Sequence, residues 1–551
     1  MLGSELGISE DTKPELRFDG VGIFYCVFAT IWTLILASGM AFLWVRREMP
    51  ILRIRGLPLS FAAITLMHLY WLAVELGYSY GPLMPEVAEY WIMSIWFPFG
   101  IALFHASNSR FLYVADAQRK FLNTVETLER PLANNDLVGR WKRMDYTSRT
   151  LLLVSLGMAG QLFLTVFMYL ISQKFHSGFG IPGTGVSGNY MQVKMQQGRG
   201  WEWWPSIFWQ MTWAWVYAPY ILWRSRNLRD TQGWRFQTIA CCLSNLHAAP
   251  MWLIAIYVPA MNPINTYFIP PQWIAVSIML LEIFTVFVPV IEVCKHRSLT
   301  QETLDSIARW ETRKKAFGGG AGKSLHSQST ATSSSSWYGR KGRASSVHTS
   351  HSAGGSSILT MDALEHTLAK NPEPLQHFSA LKDFSGENIA FLTRIREWKM
   401  AYFPRAPQRE GVEPEKRESV AQPPRECFDA ALRIYLDFIS ATHAEFQINL
   451  SSTDFKNLQA VFEHAARVIY GDGRSTPDPV TPFDDMRSGS ADSDATLNVV
   501  RYWGDLPEAF CEEVFDDAEM HVKYLVLTNT WPKFIKERRS FDALSTAESA
   551  R

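Results

Sequence analysis

Cysteine is scarce in this sequence: there are six in 551 residues, and no two stand at zinc-ligand spacing. Cys26, Cys241, Cys242, Cys294, Cys427 and Cys511 lie mostly in or beside apolar runs, where a thiol packs as a small hydrophobe. This excludes a disulfide-stapled secreted scaffold and offers no metal site. An excess of charge of either sign is also missing, because Lys plus Arg and Asp plus Glu are 53 each. Nucleic acid is therefore not an expected partner, and no acidic solvating tail is present. The first 20 residues lack the basic start and short apolar core of a cleavable signal peptide and carry five acids. The first apolar run is expected to stay on the chain as an anchor. No cofactor is expected.

What the sequence does have is long apolar runs. Seven stretches approach the roughly 20 mostly apolar residues that cross a bilayer as a helix, at about 21–45, 57–77, 86–113, 150–172, 203–223, 236–259 and 270–294. Lipid offers the backbone no hydrogen bonds, so these runs are read as helices and not strands. Arg46, Arg47, Arg53 and Arg55 follow the first run. Arg119, Lys120, Arg130, Arg140, Lys142, Arg143 and Arg149 follow the third, and Arg224, Arg226, Arg229 and Arg235 the fifth. The alternate loops hold only Lys174, Lys194 and Arg199. By the positive-inside rule the amino terminus is expected outside and everything after Lys295 in the cytosol, on a multi-pass protein of the plasma membrane. Trp201, Trp203 and Trp204 stand where an interfacial aromatic belt is expected.

Ionisable groups inside a membrane are costly and point to function. His68 and Glu75 lie two turns apart on the second run, His105 on the third, Asn245 and His247 on the sixth and Glu282 near the middle of the seventh. His68, Glu75, His105 and Glu282 are the candidate sensing positions for a small-molecule ligand or a proton, Glu282 first among them. The plainer reading is that they hydrogen-bond between helices. Seven helices with an external amino terminus look like a G-protein-coupled receptor, but the motifs of its large rhodopsin-like family are missing. The third run ends in SNSRFLYVADAQRK with no acidic-Arg-aromatic triplet, and the seventh has Pro289 without Asn-Pro-x-x-Tyr. Seven helices alone are a fold and not a function.

Residues 296–317 form a juxtamembrane segment with Leu299, Thr303, Ile307 and Trp310 at helical spacing, read as an inward extension of the last run or a helix along the anionic leaflet. Residues 318–357 are rich in Gly, Ser and His, the composition of a flexible linker. Within them RKGRASS, with Ser345 and Ser346, resembles a basophilic kinase site.

From residue 358 amphipathic helical patterns return. Ile389, Leu392, Ile395 and Trp398 form one stripe; Phe428, Leu432, Tyr435, Leu436 and Ile439 a second; Phe515, Ala518, Val522 and Leu525 a third. No alternating strand pattern competes, so an all-α bundle interrupted by insertions at about 403–424 and 471–500 is expected. Three blocks then stand in order: FSGENIAFLTRIREWKMAY, FDAALRIYLDFISATHAEFQINLSS and FDDAEMHVKYLVLTNTWPKFIKE. They resemble the successive blocks of the RGS (regulator of G-protein signalling) domain, over about 358–538, with a tail at 539–551. Joined to seven helices, the whole resembles the membrane-bound RGS proteins of fungi and plants. The fold expected is all-α throughout: residues 1–20 outside, a seven-helix transmembrane bundle over 21–295, and a cytoplasmic all-helical RGS domain.

The resemblance implies a partner, the α subunit of a heterotrimeric G protein, and a surface that binds it. Glu387 and Asn388, otherwise read as a capped helix start, become part of that surface. Asn449, otherwise a loop residue before a Ser451-x-x-Asp454 capping box, matches the family's central contact. Leu525, Asn529, Thr530 and Lys533 match the remaining contact positions. Many family members carry an acid and an arginine where this chain has Asn529 and Lys533, so a bidentate ion pair is lost. Gα already holds a cis arginine and a glutamine yet hydrolyses GTP at only about 10⁻² per second. The resemblance implies no catalytic group here, only a grip on Gα's switch segments in their transition-state arrangement. The rivals to such a GTPase-activating protein are a receptor that drives nucleotide exchange with the RGS domain as scaffold or self-limiter, and an RGS module that only binds.

Overall fold

The computed structural model describes residues 13–122, 146–176, 178–317, 359–404, 425–444, 446–470 and 502–549. Ser345, Ser346, the 318–357 linker and nearly all of the two expected insertions lie outside the described residues. Among the described residues the chain is helical with no named strand, only a single bridge between Ser172 and Ile181.

Six helices are long and apolar enough to cross a membrane: α1 (Gly20–Val45), α2 (Leu57–Tyr80), α3 (Glu86–Leu122), α4 (Ser148–Ile171), α6 (Trp234–Tyr257) and α7 (Gln272–Asp305). The fifth expected run is helical too, through Trp204–Met211, a π segment Thr212–Tyr217 and Ala218–Ser225, here called α5. It is not among the six that qualify, because Trp, Tyr, Pro and Gln dilute its hydropathy. Its packing is inside-out for a water-soluble helix. Ser206, Gln210, Ala214, Ala218 and Ser225 face the bundle while Phe208, Val216 and Trp223 are exposed. Small and polar residues inward with large apolar ones outward is the pattern of a helix solvated by lipid tails. α1 and α4 likewise expose Ile23, Phe24, Leu34, Leu156 and Phe163.

Proline shapes these helices. Each π segment of the bundle, at Ile92–Trp96, Thr212–Tyr217 and Ile283–Phe287, ends immediately before Phe97-Pro98, Ala218-Pro219 or Val288-Pro289. A proline ring clashes with the carbonyl four residues back and has no N–H to offer it, and one wide turn absorbs both defects without ending the helix. At the end of the bundle near α1's start, the three basic residues of the segment after α4 are all engaged. Lys174 pairs with Glu202 at 2.9 Å, Lys194 with Glu86 at 2.8 Å, and Arg199 donates to the carbonyl of Ile256 at 3.0 Å. Trp203 is buried there, edge-on to Tyr90, while Trp201 and Trp204 are exposed.

α7 does not stop at the bundle: its helix continues from Val288 to Phe317. The second half folds as α8 (Met361–Lys370), α9 (Glu373–Phe378), α10 (Gly386–Tyr402), α11 (Arg425–Phe438), α12 (Ser452–Tyr470), α13 (Asp516–Leu525) and α14 (Trp531–Ser549). The three sequence stripes meet in one apolar core, all but Leu525, which is half-buried outside it, with Phe391, Phe428, Tyr435, Phe462 and Phe515 fully buried. Phe462 stacks on Phe515 at 5.5 Å, and such rings each contribute roughly 2–3 kcal/mol by burial. A fourth proline-linked π segment, Val526–Thr530, precedes Trp531-Pro532 and joins α13 to α14.

Candidate functional site

The two halves meet at the end of the bundle formed by the loop after α1, the end of α3 and the loop between α5 and α6. The junction is built on the segment between α9 and α10, Asp383-Phe384-Ser385-Gly386-Glu387. A π segment Ser379–Asp383 runs into Phe384, the one non-glycine residue among those described with positive φ, at 51°. A bulky residue in the left-handed region costs about 1–2 kcal/mol. The cost is offset by burial: the Phe384 ring is 2% exposed, with Phe111 of α3 at 5.9 Å and Trp234 of α6 at 6.4 Å. Gly386 follows where α3 comes closest, and a Cβ there would stand 2.9 Å from Gln118 Oε1 and from the Ala380 Cβ.

Asp383 is the centre of the junction. Its buried carboxylate takes Lys533 Nζ at 2.7 Å, Thr231 Oγ at 2.7 Å, Thr530 Oγ at 2.8 Å and Ser385 Oγ at 3.0 Å. Burial alone would raise this carboxyl, but Lys533 and the two threonine hydroxyls outweigh it and hold it below the usual range. Its backbone carbonyl accepts Gln232 Nε2 at 2.6 Å, and the Lys382 carbonyl accepts the Thr231 N–H at 2.9 Å. The 230–234 loop is itself held by Asp230, whose carboxylate caps the Trp234 N–H at 2.6 Å, and by Arg55, which donates to the Gln232 carbonyl at 2.7 Å.

Gln118, fully buried at the end of α3, bridges α10's start. Its Nε2 donates to Glu387 Oε2 at 2.9 Å and its Oε1 accepts the Gly386 N–H at 2.9 Å. Arg53 donates to the carbonyl and side chain of Gln447, both at 3.0 Å, two residues before Asn449. Phe121 packs on Phe438 and Phe446. The inward extension of α7 lies against Val526–Thr530. Three segments far apart in sequence, 383–388, 438–449 and 526–533, therefore face the same end of the bundle.

All but one of the contact positions implied by the sequence lie in these segments, and the exception, Leu525, immediately precedes the third. Glu387 and Thr530 are buried; Asn388, Asn449, Leu525, Asn529 and Lys533 are half-buried. α10 starts at Gly386 without a side-chain cap, so Glu387 spends its carboxylate on Gln118 instead. Ser451 does cap α12, accepting the Asp454 N–H at 3.1 Å. Lys533 pairs with Asp383, while Asn529 Oδ1 and Asn388 Oδ1 are buried without hydrogen-bond partners. Asp383, Gln118 and Thr231 carried no signal in the sequence, because each takes its partner from the other half or from α14, and Phe384 was read only as the first residue of the FSGENIAF block.

Burial raises the Glu387 carboxyl from 4.5 to about 7, against the lowering pull of Gln118 and Arg53 and with Asp383 adding a like charge. The junction thus holds a proton that an undocked carboxyl releases. Its contribution is fully present below about pH 4.5 and is lost as pH rises towards about 7. A distance-reporting label pair across the two halves is expected to show looser docking as pH rises through that window, and Glu387→Gln should flatten the profile.

Within the bundle, the structure brings His68 and Glu282 together and leaves Glu75 and His105 apart from them. Glu282 is fully buried, accepting Trp32 Nε1 at 2.6 Å and lying 2.9 Å from His68 Nδ1, whose other nitrogen is 3.0 Å from Thr33 Oγ. Glu75 meets Gln272 at 3.5 Å, and His105 stacks on Trp213 with neither ring nitrogen hydrogen-bonded. Glu282→Ala unpairs two donors and is expected to lower bundle stability by about 1–2 kcal/mol, read as a lower unfolding midpoint in detergent, with Glu282→Gln retaining part of it. Three cavities of the membrane half measure about 10, 20 and 30 Å³, room for one or two waters. Among the described residues no three His, Cys, Asp or Glu side chains converge as a metal cage.

Fold and site together define a helical membrane protein whose second helical domain is docked onto one end of its membrane bundle. Comparison with protein-family models, with curated proteins and with solved structures gives no match to this chain.

Proposed function

We propose that this protein is a membrane-anchored regulator of heterotrimeric G-protein signalling, whose carboxyl-terminal RGS domain binds GTP-loaded Gα and accelerates its GTP hydrolysis. The observation that carries the reading is the set of three ordered blocks, supported by the convergence of segments 383–388, 438–449 and 526–533 at one end of the domain. A surface assembled from three loops is what gripping several switch segments at once requires. It needs no cofactor and no catalytic group of its own. Asn449 would position Gα's water-orienting glutamine, so the gain is in transition-state binding.

In this reading α5 is the seventh crossing, which its outward Phe208, Val216 and Trp223 support. The arginine-rich end of the bundle then faces the cytosol, at the plasma membrane where lipidated Gα resides, and the seven helices sense a ligand. Single-turnover hydrolysis of GTP by Gα, with and without the purified 359–549 segment, tests the proposal. Acceleration by about tenfold or more is expected. An unchanged hydrolysis rate, or nucleotide exchange driven by the full chain, would refute it.

A further inference from the structure

We propose that the basic end of the membrane bundle and GTP-loaded Gα compete for the same surface of the carboxyl-terminal domain, so that the structure shows a closed, self-inhibited form. This rests on the Gα reading of residues 387–388, 449 and 525–533 given above. Glu387 is already bonded to Gln118, and Thr530 and Lys533 close on Asp383, which Thr231 of the α5–α6 loop also grips. Phe384 is plugged between Phe111 and Trp234. A second protein cannot reach these side chains while α3 and the α5–α6 loop cover them.

The closed contact is built to be reversible. Its polar part pairs side-chain amides, hydroxyls and backbone groups with one another and with the Asp383, Glu387 and Arg53 side chains, and water replaces each on opening, at a net of about 1 kcal/mol for a neutral pair and about 1.5–3 kcal/mol where one group is charged. Its apolar part is essentially two patches, around Phe384 and around Phe121. It also includes a residue in the left-handed region, Phe384, which ends the Ser379–Asp383 segment with its N–H on the Ser379 carbonyl and places its ring between the two halves. The centre of the domain's own core lies deeper, among Phe391, Phe428, Phe462 and Phe515, and Phe121 meets its edge at Phe438, so undocking uncovers that edge and leaves the centre packed.

A physical route connects the membrane interior to this contact. α7 carries Glu282 at mid-bundle, passes through the Ile283–Phe287 π segment and reaches Val526–Thr530 with its inward extension. A stimulus that breaks the Trp32–Glu282–His68 contacts and moves α7 would act on the 526–530 segment through one continuous helix, a two-state element that both sites bias. Gα binding would, by reciprocity, favour the same open form.

The first two variants leave the proposed Gα-facing residues untouched, and the double variant, which changes Glu387, is read by hydrogen exchange alone. Gln118→Glu, a nearly isosteric change on α3, removes the donor to Glu387 Oε2 and, assayed at about pH 8, above the raised Glu387 value, sets a carboxylate against an ionised Glu387. In the full chain in lipid nanodiscs, hydrogen exchange over 383–388 and 526–533 is expected to rise, and the single-turnover GTPase rate of added Gα to increase by about fivefold or more. Gln118→Ala should act in the same direction more weakly. The double variant Gln118→Glu, Glu387→Gln should restore the exchange protection, which a merely misfolded α3 would not allow. Exchange and rate both at wild-type values in Gln118→Glu would overturn the inference, as would faster exchange with no faster hydrolysis while the 359–549 segment is active. Faster exchange with no acceleration by either form would instead overturn the GTPase reading, and this inference with it.

Discussion

Asp383→Ala is expected to lower the stability of the carboxyl-terminal domain by about 3–5 kcal/mol, the range for removing one partner of a buried ion pair. The carboxylate is fully buried and takes four donors, among them the Lys533 ammonium at 2.7 Å. Its loss leaves that charge, 18% exposed, without a counter-ion between α9 and α14. At roughly 2–4 °C per kcal/mol for a domain of this size, the unfolding midpoint of this domain, followed in the full chain where Thr231 also donates, should fall by about 6–20 °C. Asp383→Asn keeps an acceptor for the hydroxyls and removes only the charge, so its loss should be about half. Because the folded-state carboxyl is held below its ordinary value, its contribution is present at neutral pH and disappears as pH falls through that lowered value. The wild-type and Asp383→Ala midpoints should therefore converge in acid. A change below about 1 kcal/mol at neutral pH would show that Asp383 does not anchor this junction.

Asn449→Ala should have the largest effect on activity and almost none on the fold. Asn449 is half-buried after Ile448 and outside α12, whose cap is Ser451. Truncating it removes no core packing and should change stability by no more than about 0.5 kcal/mol. If it orients Gα's glutamine in the transition state, stimulated hydrolysis should fall by about 10- to 100-fold, or about 1.4–2.7 kcal/mol of transition-state binding. Binding to Gα in its ground state should weaken much less. Equal losses in binding and in rate would make Asn449 an ordinary contact.

Much of the architecture was legible in the sequence because it rests on periodicity and run length. The three stripes around Ile389, Phe428 and Phe515 reappear as one core because an apolar residue at every third or fourth position must face inward wherever the helix goes. The long apolar runs reappear as helices for a different reason, that a backbone in an apolar medium must satisfy its own hydrogen bonds, and six meet the length and hydropathy needed to cross a membrane. The fifth was harder to read because its helix is rich in Trp, Tyr, Pro and Gln, and only its outward-facing residues show which way it is solvated. The π segments were not legible, although Pro98, Pro219, Pro289 and Pro532 mark four of the five among the described residues.

At the junction, the sequence singled out Glu387, Asn388, Thr530 and Lys533 but not their partners. The two candidate sensing acids show the same divide, since Glu282 gained His68 and Trp32 while Glu75 went to Gln272. What the sequence determined by itself is what depends on neighbours along the chain: helices, their buried faces, and the scarcity of charge in the loops that lie between the arginine-rich ones. What only the tertiary structure decided is what depends on residues 100 to 300 positions apart. Asp383 meets Lys533 and Thr231, and Gln118 meets Glu387, because distance in space sets the strength of a charge or a hydrogen bond, and separation in sequence carries no record of that distance.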